Sequence, residues 1–271
     1  MSSLWIFGLG YTASRIADRL RADGWEVSGT GHAGTPFDDE TAVRRGVADA
    51  THILSSVPPQ ADHDPVLRRY SDAFGDRWLG YLSSTGVYGD VAGAWVDESA
   101  PVKGRRANRT RADLDWQAVG ARVFRLPGIY GPGRSALDRV VEGKAHRIAL
   151  LDQVFSRVHV DDIVSGVVAG LTAPVGIYNL SDDFPAHQNE VIEEAAALLG
   201  LPAPPFVLLE SLSPMARSFY SENRRVANIK AKRILDWEPI YADFTTGLRA
   251  LRATMSPTNV TTPPDTASNV Q

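Results

Sequence analysis

Residues 4–14, Leu-Trp-Ile-Phe-Gly-Leu-Gly-Tyr-Thr-Ala-Ser, decide the fold. Leu4 to Phe7 is a short apolar run that ends in a Gly-rich segment, after which Ile16, Ala17 and Leu20 recur at helical spacing until Gly24 stops the pattern. Trp25 to Thr30 then reads as a second strand. The first thirty residues therefore predict one strand-helix-strand unit with parallel strands and a right-handed crossover. Gly8, Gly10 and Ala13 fit the spacing GxGxxG/A, after a strand and at the opening of a helix. The first Gly permits a sharp turn, the second lets backbone approach a pyrophosphate, and a small third residue lets helix and strand pack closely. Free N–H groups at the helix start face the anion. The spacing also fits an ordinary tight turn; its setting favours a dinucleotide.

Working outward, His52 to Val57 is another apolar strand, closed by Pro58 and Pro59. Asp64 and Pro65 are an N-cap and first helical residue opening a helix through about Phe74. Trp78 to Ser84 is a strand, Arg109 to Val119 a helix, and Arg122 to Leu126 a strand; Asp161 or Asp162 caps a helix through Leu171. This alternation predicts an α/β fold, a Rossmann-type doubly wound parallel sheet. From about Gly131 the pattern loosens into Pro-rich loops such as Leu201 to Phe206 and basic clusters such as Arg224 and Arg225, which fits a small C-terminal α/β lobe. Residues 1–255 are expected to form one Rossmann-like unit, with the nucleotide core mainly in 1–170 and the substrate lobe mainly in 131–160 and 175–255. Residues 256–271 hold three Pro, six Ser or Thr and one charged residue, too little apolar surface to offset ordering entropy, and are expected to be a disordered tail.

Composition narrows the function. The 271 residues carry 28 Lys plus Arg against 32 Asp plus Glu, a formal charge of -4, which argues against a basic nucleic-acid-binding surface. The absence of Cys excludes disulfides, thiolate nucleophiles and Cys-ligated metals. No apolar stretch approaches the roughly 18 residues of a membrane span, and the start of the chain lacks a basic leader. A cytoplasmic protein without membrane or nucleic-acid partners is expected. His, Asp and Glu show no metal-like spacing, so no metal is expected.

At the end of the second strand, Ser28, Gly29, Thr30, Gly31 and His32 offer no carboxylate for a ribose 2′-hydroxyl and no Arg for a 2′-phosphate. Thr30 and a protonatable His32 favour NADP modestly over NAD; His32 also fits a solvated loop.

Three further segments, YLSSTGVYGD (81–90), RLPGIYGPGR (125–134) and VHVDDI (158–163), with NIKAKRILDWEP (228–239), resemble the extended short-chain dehydrogenase/reductase superfamily of nucleotide-sugar epimerases and dehydratases across most of residues 4–253. The Gly spacing departs from that superfamily's usual GxxGxxG and looks like its atypical subgroup. The resemblance implies NAD(P) as cofactor, a small-molecule substrate in a cleft between sheet and lobe, and a homodimer through two helices flanking the sheet as one option. Candidate cofactor contacts are Gly8, Gly10, Tyr11, Thr12, Ala13, Thr30, His32, Ser56, Val57, Pro58, Ser83, Pro127 and Ile129.

By the same resemblance Ser84 stands at the catalytic Ser position, whose hydroxyl bonds the reacting oxygen. The family's Tyr, followed four residues later by Lys, is missing: no Tyr lies between Val91 and Trp116. One alignment puts Arg105 at the Tyr position and Arg109 at the Lys position; another puts Arg109 at the Tyr position. An Arg polarises a carbonyl or anchors an anion but stays protonated, so it cannot be the general base. Tyr88, Lys103 and Tyr130 are the nearest alternative proton carriers, although a Tyr such as Tyr88 more often packs its ring in the core with its OH on a local acceptor. Of Arg134, Arg147, Arg157, Arg224 and Arg225, the first and third are the better candidates for holding an anionic substrate. His159 resembles a structural position. Two functions follow: an NAD(P)-dependent oxidoreductase, epimerase or dehydratase acting on a small polar, phosphorylated or nucleotide-linked substrate, and a non-catalytic NAD(P)-binding sensor that has lost the redox machinery.

Overall fold

The computed structural model describes residues 2–150 and 152–256; the expected disordered tail lies, from residue 257 on, outside the described residues. Six strands, β1 (Ser3–Phe7), β2 (Glu26–Gly29), β3 (His52–Ser55), β4 (Trp78–Ser84), β5 (Arg122–Leu126) and β6 (Gly176–Asn179), pair in parallel in the order β2-β1-β3-β4-β5-β6. Side chains of a strand alternate between faces. Leu4 and Ile6 pack with Ile16, Ala17 and Leu20 of α1 (Tyr11–Ala22), whereas Trp5 and Phe7 point the other way, onto Val43 and Val47 of α2 (Glu40–Asp49) and Tyr70 of α3 (Pro65–Tyr70). Trp116 of α4 (Ala107–Ala118) closes that second layer. With both faces covered, the sheet is the doubly wound kind that the alternation predicts.

The strand order reverses direction beside β1, with β2 on one flank and β3 on the other. A crevice opens at such a switch point, outside the carboxyl ends of the strands. The α-helices that follow are α5 (Ala136–Val141), α6 (Val160–Ala169), α7 (Gln188–Leu198), α8 (Pro214–Phe219), α9 (Ile229–Leu235) and α10 (Phe244–Thr254). Helices α5, α7 and α10 build their own apolar cluster around Leu137, Ile192, Ala195 and Leu248. A parallel ribbon joins Gly128–Tyr130 to Arg157–His159 and carries the chain from the sheet toward it.

Two local expectations are corrected. The Asp64 carboxylate accepts from Val66 N and Leu67 N and caps α3 as expected, but that helix ends at Tyr70 and passes into a 3₁₀ turn over Ser71–Ala73. Helix α6 is capped by His159, whose Nδ1 accepts from Asp161 N at 3.2 Å, and neither Asp161 nor Asp162 is the cap. The Asp162 carboxylate instead accepts from Ile240 N and Tyr241 N, so it ties α6 to the chain between α9 and α10.

Candidate functional site

The turn after β1 is shaped by two glycines with different reasons for being there. Gly8 has φ +87°, and an added Cβ would stand 3.0 Å from Val57 Cγ2 and 3.1 Å from Ser56 Oγ. The fold itself therefore demands Gly8. Gly10 has an extended backbone, φ -100° and ψ -164°, that any residue adopts, and a Cβ there would meet nothing within 4 Å. Nothing among the described residues requires this glycine, and the space its missing side chain leaves would admit a pyrophosphate. Ala13 is 1% exposed and packs against the sheet, which allows α1 to lie close. The residues present thus fit a dinucleotide.

Around this turn the polar groups brace one another. Thr30 is buried, and its Oγ1 accepts from Gly8 N at 3.0 Å, which corrects its expected role as a phosphate contact. Ser56 Oγ donates to Gly8 O at 2.5 Å. Thr12 is buried beneath the first turn of α1, and His32 stands exposed in the turn after β2. Tyr11 OH donates to Pro132 O at 3.1 Å, and its ring lies under the guanidinium carbons of Arg15 at 4.4 Å and Arg134 at 5.7 Å. Burial raises the Tyr11 pKa against the pull of those two cations.

At the end of β4, Ser84 is half-buried, and its Oγ accepts from Gly86 N at 3.1 Å, which leaves its hydroxyl proton available to a substrate oxygen. Ser83 is different, and its expected cofactor contact is corrected: it is buried and donates to Asp113 Oδ2 at 2.5 Å. Asp113 and Arg125, 0% and 2% exposed, form a two-pronged ion pair at 2.6 and 3.0 Å, and the Arg125 guanidinium carbon lies 4.8 Å from the centre of the Tyr88 ring. Tyr88 is itself buried and donates to Asn179 Oδ1 at 2.7 Å. Burial raises its pKa further, so the structure places it as a packing residue, not a proton carrier in the cleft. Tyr130 OH is buried without a hydrogen-bond partner among the described residues and stands over Gly247 of α10, where a Cβ would be 2.0 Å away. Lys103 is exposed outside the residues that line the cleft.

Beyond Ser84 lies a cleft of about 760 Å³, bordered by Ser84 to Gly86, Arg105, Arg106 and Arg109, Pro127 to Tyr130, Gly133 to Ala136 and the chain around Phe155 and Phe219. Pro127 and Ile129 are among the residues that line it. Arg109 is half-buried there and Arg134 exposed at the rim. Arg157 lines the wall but is corrected as a substrate ligand: its guanidinium donates to Phe155 O, Ala186 O and Gln188 Oε1, and burial pushes its pKa down to about 10. Arg224 donates to Gly89 O and Glu222, Arg147 pairs with Glu193, and Arg225 donates to Gly93 O. Glu222 holds Arg105 and Arg224 together; burial opposes its charge, but hydrogen bonds from Arg224 and Arg105 outweigh that and keep its carboxyl below the usual glutamate range. Among the described residues no group of three or more His, Asp or Glu side chains could hold a metal ion, and no helix is long and apolar enough to cross a membrane.

No family model matches the chain. Over 93% of its length it superimposes, with a TM-score of 0.84 and 41% identity, on 99% of a functionally unknown conserved protein from Silicibacter pomeroyi DSS, and the two belong to one family. Over 93% of its length it also superimposes, with a TM-score of 0.75 and 17% identity, on 96% of dTDP-glucose 4,6-dehydratase from Bacillus anthracis. That likeness shows the fold: the chain shares the Rossmann-type architecture of this dehydratase. Protein YeeZ of Escherichia coli K12 is a further relative, 28% identical over 76% of this chain and 87% of its own. The two arginines that the sequence resemblance sets at the Tyr and Lys positions part company: both border the cleft, but Arg105 is held by Glu222 and Ser218 O, while the Arg109 side chain has no hydrogen bond or ion pair among the described residues. The Asp113–Arg125 pair and the Glu222 clasp were not expected from the sequence; a charged residue inside the apolar strand RVFRL was the available signal for the first.

Proposed function

We propose that this chain is an NAD(P)-dependent oxidoreductase, epimerase or dehydratase of the atypical extended type, acting on a small polar substrate held in the cleft beside Ser84. The observation that carries the reading is Gly10, an unstrained glycine whose missing side chain opens onto space that no protein atom fills. In support, the Bacillus anthracis dehydratase of the same fold was solved with NAD, and other structures of that fold with NADPH. Bound NAD(P) would supply or accept hydride at its nicotinamide ring. The chain's own part is to hold the diphosphate at Gly8, Gly10 and the start of α1, and to orient the substrate oxygen with the Ser84 hydroxyl. Val57 and Pro58 after β3, with Pro127 and Ile129, would border the coenzyme. NADP is preferred to NAD because no carboxylate stands after β2; with Thr30 bonded to Gly8, His32 is the residue left to meet a 2′-phosphate. Residues up to about 170 would form the nucleotide core, with the substrate lobe above it. A homodimer through α4, where Leu114 and Val119 are exposed, belongs to the same reading.

A second reading, a non-catalytic NAD(P)-binding protein, is favoured by one observation: the tyrosines nearest the cleft are packed away and its cations are arginines, which cannot exchange a proton near neutral pH. Titration with NADPH and NADH tests what the two readings share, and absence of binding at millimolar concentration overturns both. Turnover followed at 340 nm over a panel of carbonyl compounds separates them. Under the first reading, Ser84→Ala lowers kcat while coenzyme affinity is kept. Coenzyme binding with no substrate turned over supports the second.

A further inference from the structure

Seven arginines border the cleft, against three acidic residues, Asp138, Glu142 and Glu222. Most of these charges are already matched. Glu222 takes Arg105 and Arg224, and the Arg157 donors are engaged by carbonyl and amide oxygens. Arg139 donates to Lys144 O, and Arg134 lies over Tyr11. Asp138 closes the capping box of α5 with Ser135, and Glu142 pairs with Lys144.

Three guanidiniums have no hydrogen bond or ion pair among the described residues: that of Arg134, which has only the Tyr11 ring, and those of Arg106 and Arg109, which border the cleft together with Ser84 and Gly86. Arg106 is the N-cap and Arg109 stands in the first turn of α4, so two like charges share one helix start. They also stand at the N-terminal end of α4, which has no side-chain cap and no acidic residue in its first turn, so the helix dipole opposes both. Two cations at one helix start whose dipole opposes them, one of them half-buried, in a cleft whose own acids are taken, call for negative charge from outside the chain.

We infer that Arg106 and Arg109 bind the phosphate of a phosphorylated substrate beside Ser84. Two charges match a phosphate dianion better than a carboxylate, and guanidinium geometry suits either phosphate edge. This names the substrate class of the site proposed above and rests on that reading. It also gives Arg109 a role at the position where the superfamily keeps its proton-transferring pair: it anchors substrate and does not exchange a proton.

The test is calorimetric titration of the NADPH-saturated protein, so that the turn after β1 is filled, with glycerol 3-phosphate, glycerol and lactate as probes. The expected result is binding of glycerol 3-phosphate at least tenfold tighter than glycerol or lactate, weakened tenfold or more in Arg109→Gln and further in the double variant with Arg106→Gln. Arg45→Gln, an exposed change of the same charge on α2, should leave it unaltered. Retained NADPH affinity shows that the variants fold. Equal binding of glycerol 3-phosphate and glycerol, equal binding of lactate, or insensitivity to Arg109→Gln overturns the inference while leaving the coenzyme reading standing. Failure of NADPH to bind at all strikes that reading instead; the same titration on the coenzyme-free protein then judges the phosphate site alone by its dependence on Arg109.

Discussion

Replacing each glycine of the turn after β1 by alanine separates what the fold needs from what a ligand needs. At Gly8 the backbone is left-handed, which costs an L-residue roughly 1–2 kcal/mol, and the new methyl carbon would press on Val57 Cγ2 at 3.0 Å and Ser56 Oγ at 3.1 Å. Val57 and Ser56 must then give way, so Gly8→Ala is expected to lose about 2 kcal/mol or more. For a chain of this size that lowers Tm by about 4 °C or more. At Gly10 the backbone is extended and the methyl group meets nothing within 4 Å. Gly10→Ala should leave stability unchanged or raise it by about 0.4–1 kcal/mol, because alanine has less freedom to lose on folding. Its effect falls on binding: the methyl fills the approach to the diphosphate, and NADPH affinity should drop tenfold or more. Thermal unfolding without ligand and fluorescence titration with NADPH, run on both variants, give the two numbers. If Gly10→Ala binds NADPH as the unaltered protein does, or melts as early as Gly8→Ala, the argument from the empty space beside Gly10 is wrong.

Other expectations follow from the buried polar groups. Asp113→Ala strips Arg125 of its counter-charge in a site with 0% and 2% exposure, and should cost about 3–5 kcal/mol in denaturant unfolding. Tyr88→Phe leaves Asn179 Oδ1 without its donor and should cost about 1–3 kcal/mol, with NADPH affinity unchanged; an altered pH-rate profile in place of a stability loss would make Tyr88 a proton carrier after all. Burial outweighs the two backbone donors at Asp162 and raises its pKa from 3.8 to about 6. The native state then holds a proton that the unfolded chain has released, so Asp162 makes stability fall as pH rises through that interval. In Asp162→Asn this part of the slope should vanish from urea-unfolding curves taken between pH 4 and 7, and an unchanged slope would contradict the assignment.

The sheet was readable wherever apolar residues ran unbroken. The apolar runs at 78–84 and 122–126 coincide with strands β4 and β5 to the residue, and the first βαβ unit agrees within a residue or two at its ends. Strand β6 escaped because it offers only Ile177 and Tyr178 between Gly176 and Asn179, and α2 because its buried face is reduced to Val43 and Val47. The turn glycines could be read because their residue types answer to backbone geometry that is local in sequence. The roles of Thr30, Ser83 and Arg157 could not, since each is set by a partner brought up through folding: Gly8 N from 22 residues away, Asp113 from 30, and Ala186 O from 29. The N-cap of α6 is not legible for a similar reason, because Asp162 is claimed by backbone near Ile240 and a histidine takes the cap.

The hydrogen bond from Tyr11 to Pro132 spans 121 residues of sequence, and Gly131 beside it could carry no side chain, since a Cβ would come within 2.6 Å of the Tyr11 oxygen. The start of α1 and the loop after Tyr130 are therefore fastened like two leaves of one hinge plate. Under the proposed function, a coenzyme seated on the first would set the second, and this strut predicts a compulsory order of addition, coenzyme before reactant, with release in the reverse sequence.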